Sequence, residues 1–317
     1  MIRLNDLILL LVLFTSMMAG ILAPDFGALF QPFPLYLMML LLFISLLPIR
    51  METIWDAVRS GWRGIFLLAA VKIVLLPVAV FYLFRWAFPQ YALGALLLTG
   101  ISTGVVAPFI SNLVGANSAR VLVLVVVTSP LVPFTLPVLV KLLSEQAMAL
   151  SLVAMIRMLA LVIFVPVTVV ELLRRTGPGI LERIDRRRFP ISLAVFAMIN
   201  LAVFSRYSEF FHQKPATIAV ATGLAVILAA IYLAVGLLVT RREPLEDRLA
   251  AAVSLGNMNN VLVIVFAARF FSPIEPTLAA MYMIPFFGLI LPLRVYRRRL
   301  EGRGGTIPKG EQGKGGR

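Results

Sequence analysis

Two otherwise apolar segments of the sequence are interrupted by short polar stretches. The first reads Gly100-Ile-Ser-Thr-Gly104 and is followed by Pro108, and the second reads Gly256-Asn-Met-Asn-Asn260. A helix that breaks inside hydrocarbon leaves backbone N–H and C=O groups without partners, unless protein, water or a ligand satisfies them. Two such breaks therefore predict a polar pocket within the membrane.

The side chains at these breaks are mainly hydroxyls and amides, which both donate and accept hydrogen bonds and suit a ligand with oxygens or a hydrated ion. The candidate binding residues are Ser102, Thr103, Pro108, Ser111 and Asn112 at the first break, and Ser254, Asn257, Asn259 and Asn260 at the second. Hydrogen bonding between helices is the alternative role for such residues. Three asparagines within four residues exceed what packing usually needs, so we favour binding for the asparagines of the second break.

Two cations, Lys72 and Arg157, lie well inside apolar runs, and no Asp or Glu lies as deep. A charge at the centre of a membrane helix costs roughly 2.5–3.5 kcal/mol on the insertion scale, which makes both residues candidates for function. Lys72 is either neutral through desolvation, bound to carbonyls at the helix breaks, or bound to an anionic substrate. The alternatives are that Lys72 extends to the inner surface and that Arg157 serves as an anchor or in packing.

The composition places the chain in a bilayer. Apolar side chains make up 61% of its 317 residues and charged side chains 14%, with a mean hydropathy of +0.98; soluble domains carry roughly 45–50% and 25%. The chain has no cysteine, and its single histidine, His212, falls between predicted spans, so we expect neither a metal or other cofactor nor enzyme activity. The formal charge of +14 comes largely from basic residues in short gaps between apolar runs, which indicates membrane topology and not nucleic-acid binding.

Ten runs are long and apolar enough to be membrane helices, and none shows the alternation of a barrel strand. The runs cover residues 5–23, 32–49, 64–87, 91–114, 119–143, 148–173, 190–205, 215–240, 249–271 and 276–295. The sequence thus predicts an all-α polytopic membrane protein. Basic residues concentrate in alternate gaps, which places both termini in the cytoplasm and the chain in the cell (inner) membrane. Residues 297–317 are predicted to be a disordered basic tail.

A weak internal repeat relates the two halves of the chain. Pro130 and Pro137 have the same spacing as Pro285 and Pro292, which lie 155 positions later, and that offset sends Thr103 onto Met258. Five spans per half is an odd number, so the halves must cross the membrane in opposite senses. We therefore predict two inverted repeats, residues 1–144 and 145–296, with interrupted helices at matching positions, as in secondary transporters.

Residues 103–137 and the stretch Ser254-Leu-Gly-Asn-Met-Asn-Asn-Val-Leu-Val resemble the fourth, fifth and ninth helices of the bile acid:sodium symporter superfamily. The resemblance implies a core domain of spans three to five and eight to ten, and a panel domain of spans one, two, six and seven. It also implies that broken helices four and nine cross, with substrate bound between the two domains.

The sequence departs from the pattern of the sodium-coupled members. Ser254 stands where that pattern has a glutamate and Met258 where it has a glutamine, while Ala107 and Pro108 replace a Ser-Asn pair. Lys72 aligns with a glutamine of the third helix. We hypothesise that its ammonium replaces the sodium ion, so that transport is proton-linked or uncoupled. The pattern of the arsenite carriers includes a cysteine in the fourth helix, which this chain lacks.

The leading interpretation is a secondary active transporter of a small organic anion that works by alternating access, because no nucleotide-binding motif is present to use ATP. A sodium-coupled symporter of the same family is the nearest alternative. A lipid-modifying intramembrane enzyme and a non-transporting sensor are further alternatives. Membrane lipid is an expected partner; the coupling ion and the oligomeric state stay open.

Overall fold

Helices connected by short loops make up the fold, and the described part of the chain contains no β-strand. The computed structural model describes residues 4–47, 62–144 and 150–304. The helices are α1 Leu4–Leu22, α2 Pro24–Ala28, α3 Pro34–Leu46, α4 Trp62–Ala87, α5 Ala92–Gly100, α6 Ala107–Val114, α7 Ser118–Thr128, α8 Val132–Leu143, α9 Leu152–Thr176, α10 Pro178–Arg186, α11 Arg188–Arg206, α12 Ser208–Gln213, α13 Ala216–Val239, α14 Leu245–Gly256, α15 Asn260–Phe270, α16 Ile274–Met281, α17 Met283–Gly288 and α18 Ile290–Gly304.

Five helical segments of the described chain are long and apolar enough to cross a membrane. They are α4, α9, α11, α13 and the segment Ile274–Glu301, which runs through α16, α17 and most of α18. A sixth is obtained if α7 and α8 count as one span, although these two helices are bent by 65°. Pro130 and Pro133 at this bend lack the N–H that a continuous helix needs. The predicted run 119–143 is therefore a bent pair and not a straight helix.

Two further runs are interrupted where the sequence predicts a break. The run 91–114 is divided into α5 and α6, and the run 249–271 into α14 and α15. The connecting residues, 101–106 and 257–259, lie outside the half-helices on either side of them. Each of these breaks needs partners from elsewhere in the chain.

The helices pack in two groups. The first group contains α1, α2, α3, α9 and α11, and the second contains α4 to α8 together with α13 to α17. Contacts between the groups run mainly through α15, which packs against α3, α9 and α11, and through α8 with α9. Helix α15 begins at the second break, so this break lies at the end of a helix that contacts both groups.

Two boundaries differ from the sequence prediction. Helix α18 continues to Gly304, so residues 297–304 are helical and not part of a disordered tail; residues 305–317 lie outside the described part. Helix α9 begins at Leu152 and not near residue 148, which makes Arg157 its sixth residue. At 1.5 Å per residue, Arg157 lies only about 7.5 Å from the start of the helix.

Candidate substrate site at two crossing chain breaks

The two chain breaks lie against each other and satisfy each other's backbone groups. The N–H of Gly104 donates to the carbonyl of Asn257 at 2.8 Å, and the N–H of Asn259 donates to the carbonyl of Ser102 at 3.0 Å. Thr103 and Met258 face each other as a single antiparallel bridge. Two breaks that are far apart in sequence thus supply the partners that neither finds within its own interrupted helix. We call the place where the two breaks pair the crossing.

Side chains of the first break strengthen this pairing. The Thr103 hydroxyl donates to the carbonyl of Ser254 at 3.0 Å, and the Thr103 N–H donates to the hydroxyl of Thr128 at 3.3 Å. Gly104 lets the two backbones approach closely, because a Cβ at this position would lie 2.7 Å from the carbonyl oxygen of Met258. Helix α7, which carries Thr128, therefore helps to hold the crossing.

Lys72 lies beside the crossing, on a single π-helical turn, Val71–Leu75, within α4. Its side chain is only 1% exposed, so the alternative in which it extends to the inner surface is wrong. Lys72 Nζ donates to the carbonyls of Thr99 at 3.3 Å and Leu255 at 3.4 Å. Each carbonyl belongs to the penultimate residue of a half-helix, α5 or α14, where the helix dipole carries partial negative charge. One lysine side chain thus bridges the C-terminal ends of both interrupted helices.

Two tyrosines complete the surroundings of Lys72. The hydroxyls of Tyr232 and Thr99 are hydrogen-bonded at 2.6 Å, and the Tyr232 ring centre lies 5.9 Å from Lys72 Nζ, within range of a cation–π contact. The Tyr282 hydroxyl donates to the carbonyl of Gly256 at 2.7 Å. Thr99, Tyr232 and Tyr282 were not among the residues predicted from the sequence. A tyrosine or threonine within an apolar run was the available signal, and it did not show which residue would be the partner.

A protein-family model matches a large part of the chain. The chain matches the model of the Sodium Bile acid symporter family over residues 32–214, which is more than half of its length. It belongs to this family. A search of curated proteins finds no match. Membership makes the chain an integral membrane protein of a transporter family and not of an enzyme family.

In this symporter-family chain the matched region contains Lys72, Arg157 and the first break, whereas the second break lies beyond it. The pairing of Thr103 with Met258 therefore links a residue inside the matched region to one outside it, which the family match alone does not show. The structure connects the unmatched second break to the matched first one through backbone hydrogen bonds.

Several buried polar atoms at the crossing have no hydrogen-bond partner in the described part of the chain. They are Ser102 Oγ, Ser254 Oγ, Asn257 Oδ1 and both side-chain polar atoms of Asn260. Buried polar atoms are nearly always paired, so a cluster of unpaired ones indicates a place for water, an ion or a ligand. Asn257 Nδ2 is engaged with the Phe286 carbonyl at 2.9 Å, and Asn259 caps α15 by accepting from the N–H of Leu262 at 3.3 Å.

The other predicted site residues do not join this cluster. Pro108, Ser111 and Asn112 all belong to α6, and the Ser111 hydroxyl donates to the Pro108 carbonyl of its own helix at 2.6 Å. Asn112 is exposed. Arg157 is also exposed and lines a separate cavity of about 710 Å³. The predicted residues at the two breaks are not among the residues that line this cavity.

Proposed function

We propose that this protein is a secondary active transporter of a small organic anion that binds at the crossing and passes through by alternating access. The observation that carries this proposal is the backbone pairing of the two breaks at Thr103 and Met258. Interrupted helices that meet across a pseudo-twofold axis mark the substrate site in many transporter folds. The proposal includes ten membrane spans in two inverted repeats, 1–144 and 145–296, with both termini in the cytoplasm.

The register of the pairing supports the inverted repeat. Thr103 and Met258 are 155 positions apart, which is also the offset between the proline pair of the first half and that of the second. In an antiparallel pairing of two symmetry-related segments, the residue nearest the axis faces its own equivalent. Two unrelated breaks would have no reason to pair at the offset that the prolines define.

An anion is the substrate class that suits the crossing best. Helices α6 and α15 both begin at the breaks, and a helix N-terminus carries partial positive charge and unpaired N–H groups. Asn260, the first residue of α15, contributes a buried amide that has no partner in the described structure. The nearby ammonium of Lys72 adds a full positive charge, and Lys72 forms no ion pair within the described residues.

Lys72 is proposed to take the place of a coupling ion. Its protonated form binds the C-terminal carbonyls of α5 and α14, which is the role that coupling cations play at interrupted helices. A neutral amine would hold these carbonyls less strongly, because the charge-assisted part of both hydrogen bonds would be lost. Release of a proton would therefore loosen the ends of both half-helices together, and transport would be proton-linked.

The test compares transport by wild-type protein with that by Lys72→Gln and Lys72→Ala in proteoliposomes across a range of pH. The transported probe is the organic anion that most stabilises the purified protein in a thermal-shift screen. We expect the wild-type rate to depend on pH and both variants to lose that dependence while remaining folded in the membrane. Lys214→Gln removes an exposed lysine elsewhere and serves as the control. An unchanged pH profile in the Lys72 variants would refute the proposed role, and absence of counterflow with any stabilising anion would refute the carrier itself.

Sodium coupling is the alternative that the same residues leave open. Several buried side-chain oxygens have no partner in the described structure, namely those of Ser102, Ser254, Asn257 and Asn260. Oxygen atoms are the ligands that a hard cation prefers. The site carries no carboxylate at position 254, and Lys72 already bridges the two carbonyls. Running the thermal-shift screen with and without sodium separates the two cases. Stabilisation by an anion without sodium supports Lys72 as the substitute, and strict dependence on sodium overturns it.

A further inference from the structure

A cavity of about 710 Å³ lies at the border between the two groups of helices, away from the crossing. The start of α3 and the start of α9 form part of its wall, and the C-terminal ends of α11 and α15 form the rest. Its size is that of an ordinary small-molecule site, which occupies roughly 300–1,000 Å³. The border position matters because the two groups are the bodies that would move relative to each other in the proposed carrier.

Three arginines from three different helices line this cavity. Arg157 lies in the second turn of α9, Arg206 in the last turn of α11 and Arg269 in the last turn of α15. No Asp or Glu is among the described residues that line it. Arg206 donates to the carbonyl of Ala268 at 3.3 Å, which holds its guanidinium at the cavity wall. Arg157 and Arg269 make no ion pair or hydrogen bond with other described residues, so their donors are free to bind a ligand.

The rest of the lining is mainly apolar. Pro34, Leu35, Leu161, Val203 and Val265 are among its members. An arginine presents five N–H donors and stays charged at any physiological pH. Three arginines around one cavity therefore favour a ligand with several acid groups over a ligand with one. The apolar walls favour a ligand whose acid groups are joined by a hydrocarbon or aromatic body.

We propose that Arg157, Arg206 and Arg269 form an entrance site for organic anions that carry two or more acid groups on an apolar body. The location connects this site to the crossing along α15. Val265 lines the cavity and lies five residues after Asn260, which corresponds to about 7.5 Å of helix. The role as an entrance rests on the proposed carrier function, whereas the binding itself does not.

Acid groups can come from a soluble anion or from a lipid headgroup, and the experiment distinguishes these sources. In the first arm, binding of benzoate, isophthalate and trimesate, which carry one, two and three carboxylates on the same ring, is measured by calorimetry at constant ionic strength in neutral detergent. In the second arm, trimesate binding is measured in nanodiscs of phosphatidylcholine alone and of phosphatidylcholine with phosphatidylglycerol. We expect the Kd to fall roughly tenfold for each added carboxylate, about 1.4 kcal/mol per step.

Substitutions of the arginines show whether these residues cause the preference for probes with more carboxylates. Arg157→Gln and Arg269→Gln should each weaken trimesate binding about tenfold, and the double variant should bind the three probes equally. Arg85→Gln is the matched control, because Arg85 is exposed at the end of α4 and does not line the cavity. The proposal is overturned if affinity does not depend on the number of carboxylates, if no probe binds, or if the double variant keeps the preference. It is also overturned if phosphatidylglycerol abolishes trimesate binding, since the site would then belong to lipid. A protein that binds trimesate through these arginines but shows no counterflow would refute the carrier and leave this site in place.

Discussion

Replacement of Gly104 by alanine tests the crossing more directly than any other single substitution. A Cβ added at Gly104 would lie 2.7 Å from the carbonyl oxygen of Met258, 2.9 Å from its carbonyl carbon and 3.2 Å from the carbonyl oxygen of Asn257. All three neighbours are backbone atoms, so no rotation of a side chain can relieve the contact. The two breaks must separate by several tenths of an ångström.

The loss of stability comes from the hydrogen bonds and the packing that this separation disturbs. The N–H of Gly104 and the N–H of Asn259 each donate to a carbonyl across the crossing, and each such bond is worth about 1 kcal/mol net. Forcing a methyl group into a tightly packed site adds about 1–3 kcal/mol. We therefore expect Gly104→Ala to lower the free energy of unfolding by about 3–5 kcal/mol, and the melting temperature by several degrees.

The assay is thermal unfolding in detergent, followed by the fluorescence of the three tryptophans and combined with counterflow in proteoliposomes. Gly223→Ala is the matched control, because a Cβ at Gly223 meets nothing within 4 Å. Alanine inside α13 should leave stability unchanged or raise it slightly, and transport should continue. If Gly104→Ala melts with the wild type and transports at the same rate, the two breaks do not pair as described and the reasoning fails.

Two further substitutions separate structural roles from ligand binding. Tyr282→Phe removes the hydroxyl that donates to the carbonyl of Gly256, and leaving this carbonyl at a half-helix end without a partner should cost about 1–3 kcal/mol in thermal unfolding. Asn260→Leu removes two buried polar atoms that have no partner in the described structure, so it should raise the unfolding free energy by about 1–2 kcal/mol while weakening anion binding. Wild-type anion affinity in Asn260→Leu would exclude Asn260 from the site, and a loss of stability would show that its amide has a structural role.

The positions of the two breaks could be predicted from sequence because their cause is local. Glycine, proline and small polar residues within an apolar run disfavour a helix at that point, whatever surrounds it. The all-α class and the membrane location follow similarly from composition and the lengths of the apolar runs. The bend between α7 and α8 also has a local cause in Pro130 and Pro133, but proline is common in membrane helices and does not by itself indicate the size of a bend.

The partners at the site could not be predicted, because they come from distant parts of the chain. The contact of Lys72 with Leu255 spans 183 positions, and that of Thr99 with Tyr232 spans 133. Apolar periodicity carries no information about which helix faces which. Arg206 and Arg269 could be identified as basic residues at the ends of spans, yet only the packing of α9, α11 and α15 brings them to one cavity with Arg157.

Lys72 differs from a coupling ion in one respect that restricts the mechanism. A sodium ion can leave the crossing in each transport cycle, but an ammonium on α4 is covalently attached and remains near the carbonyls of Thr99 and Leu255. A permanently charged Lys72 would hold the two half-helices equally well in every state and would supply no difference in free energy between them. In the proposed carrier, either its proton is released during the cycle, or the charge stays and the substrate anion changes its hydrogen bonds. Only the first route makes the charge on Lys72 the variable that links binding to movement, so the pH profile of Lys72→Gln separates the two routes, which loss of transport alone does not.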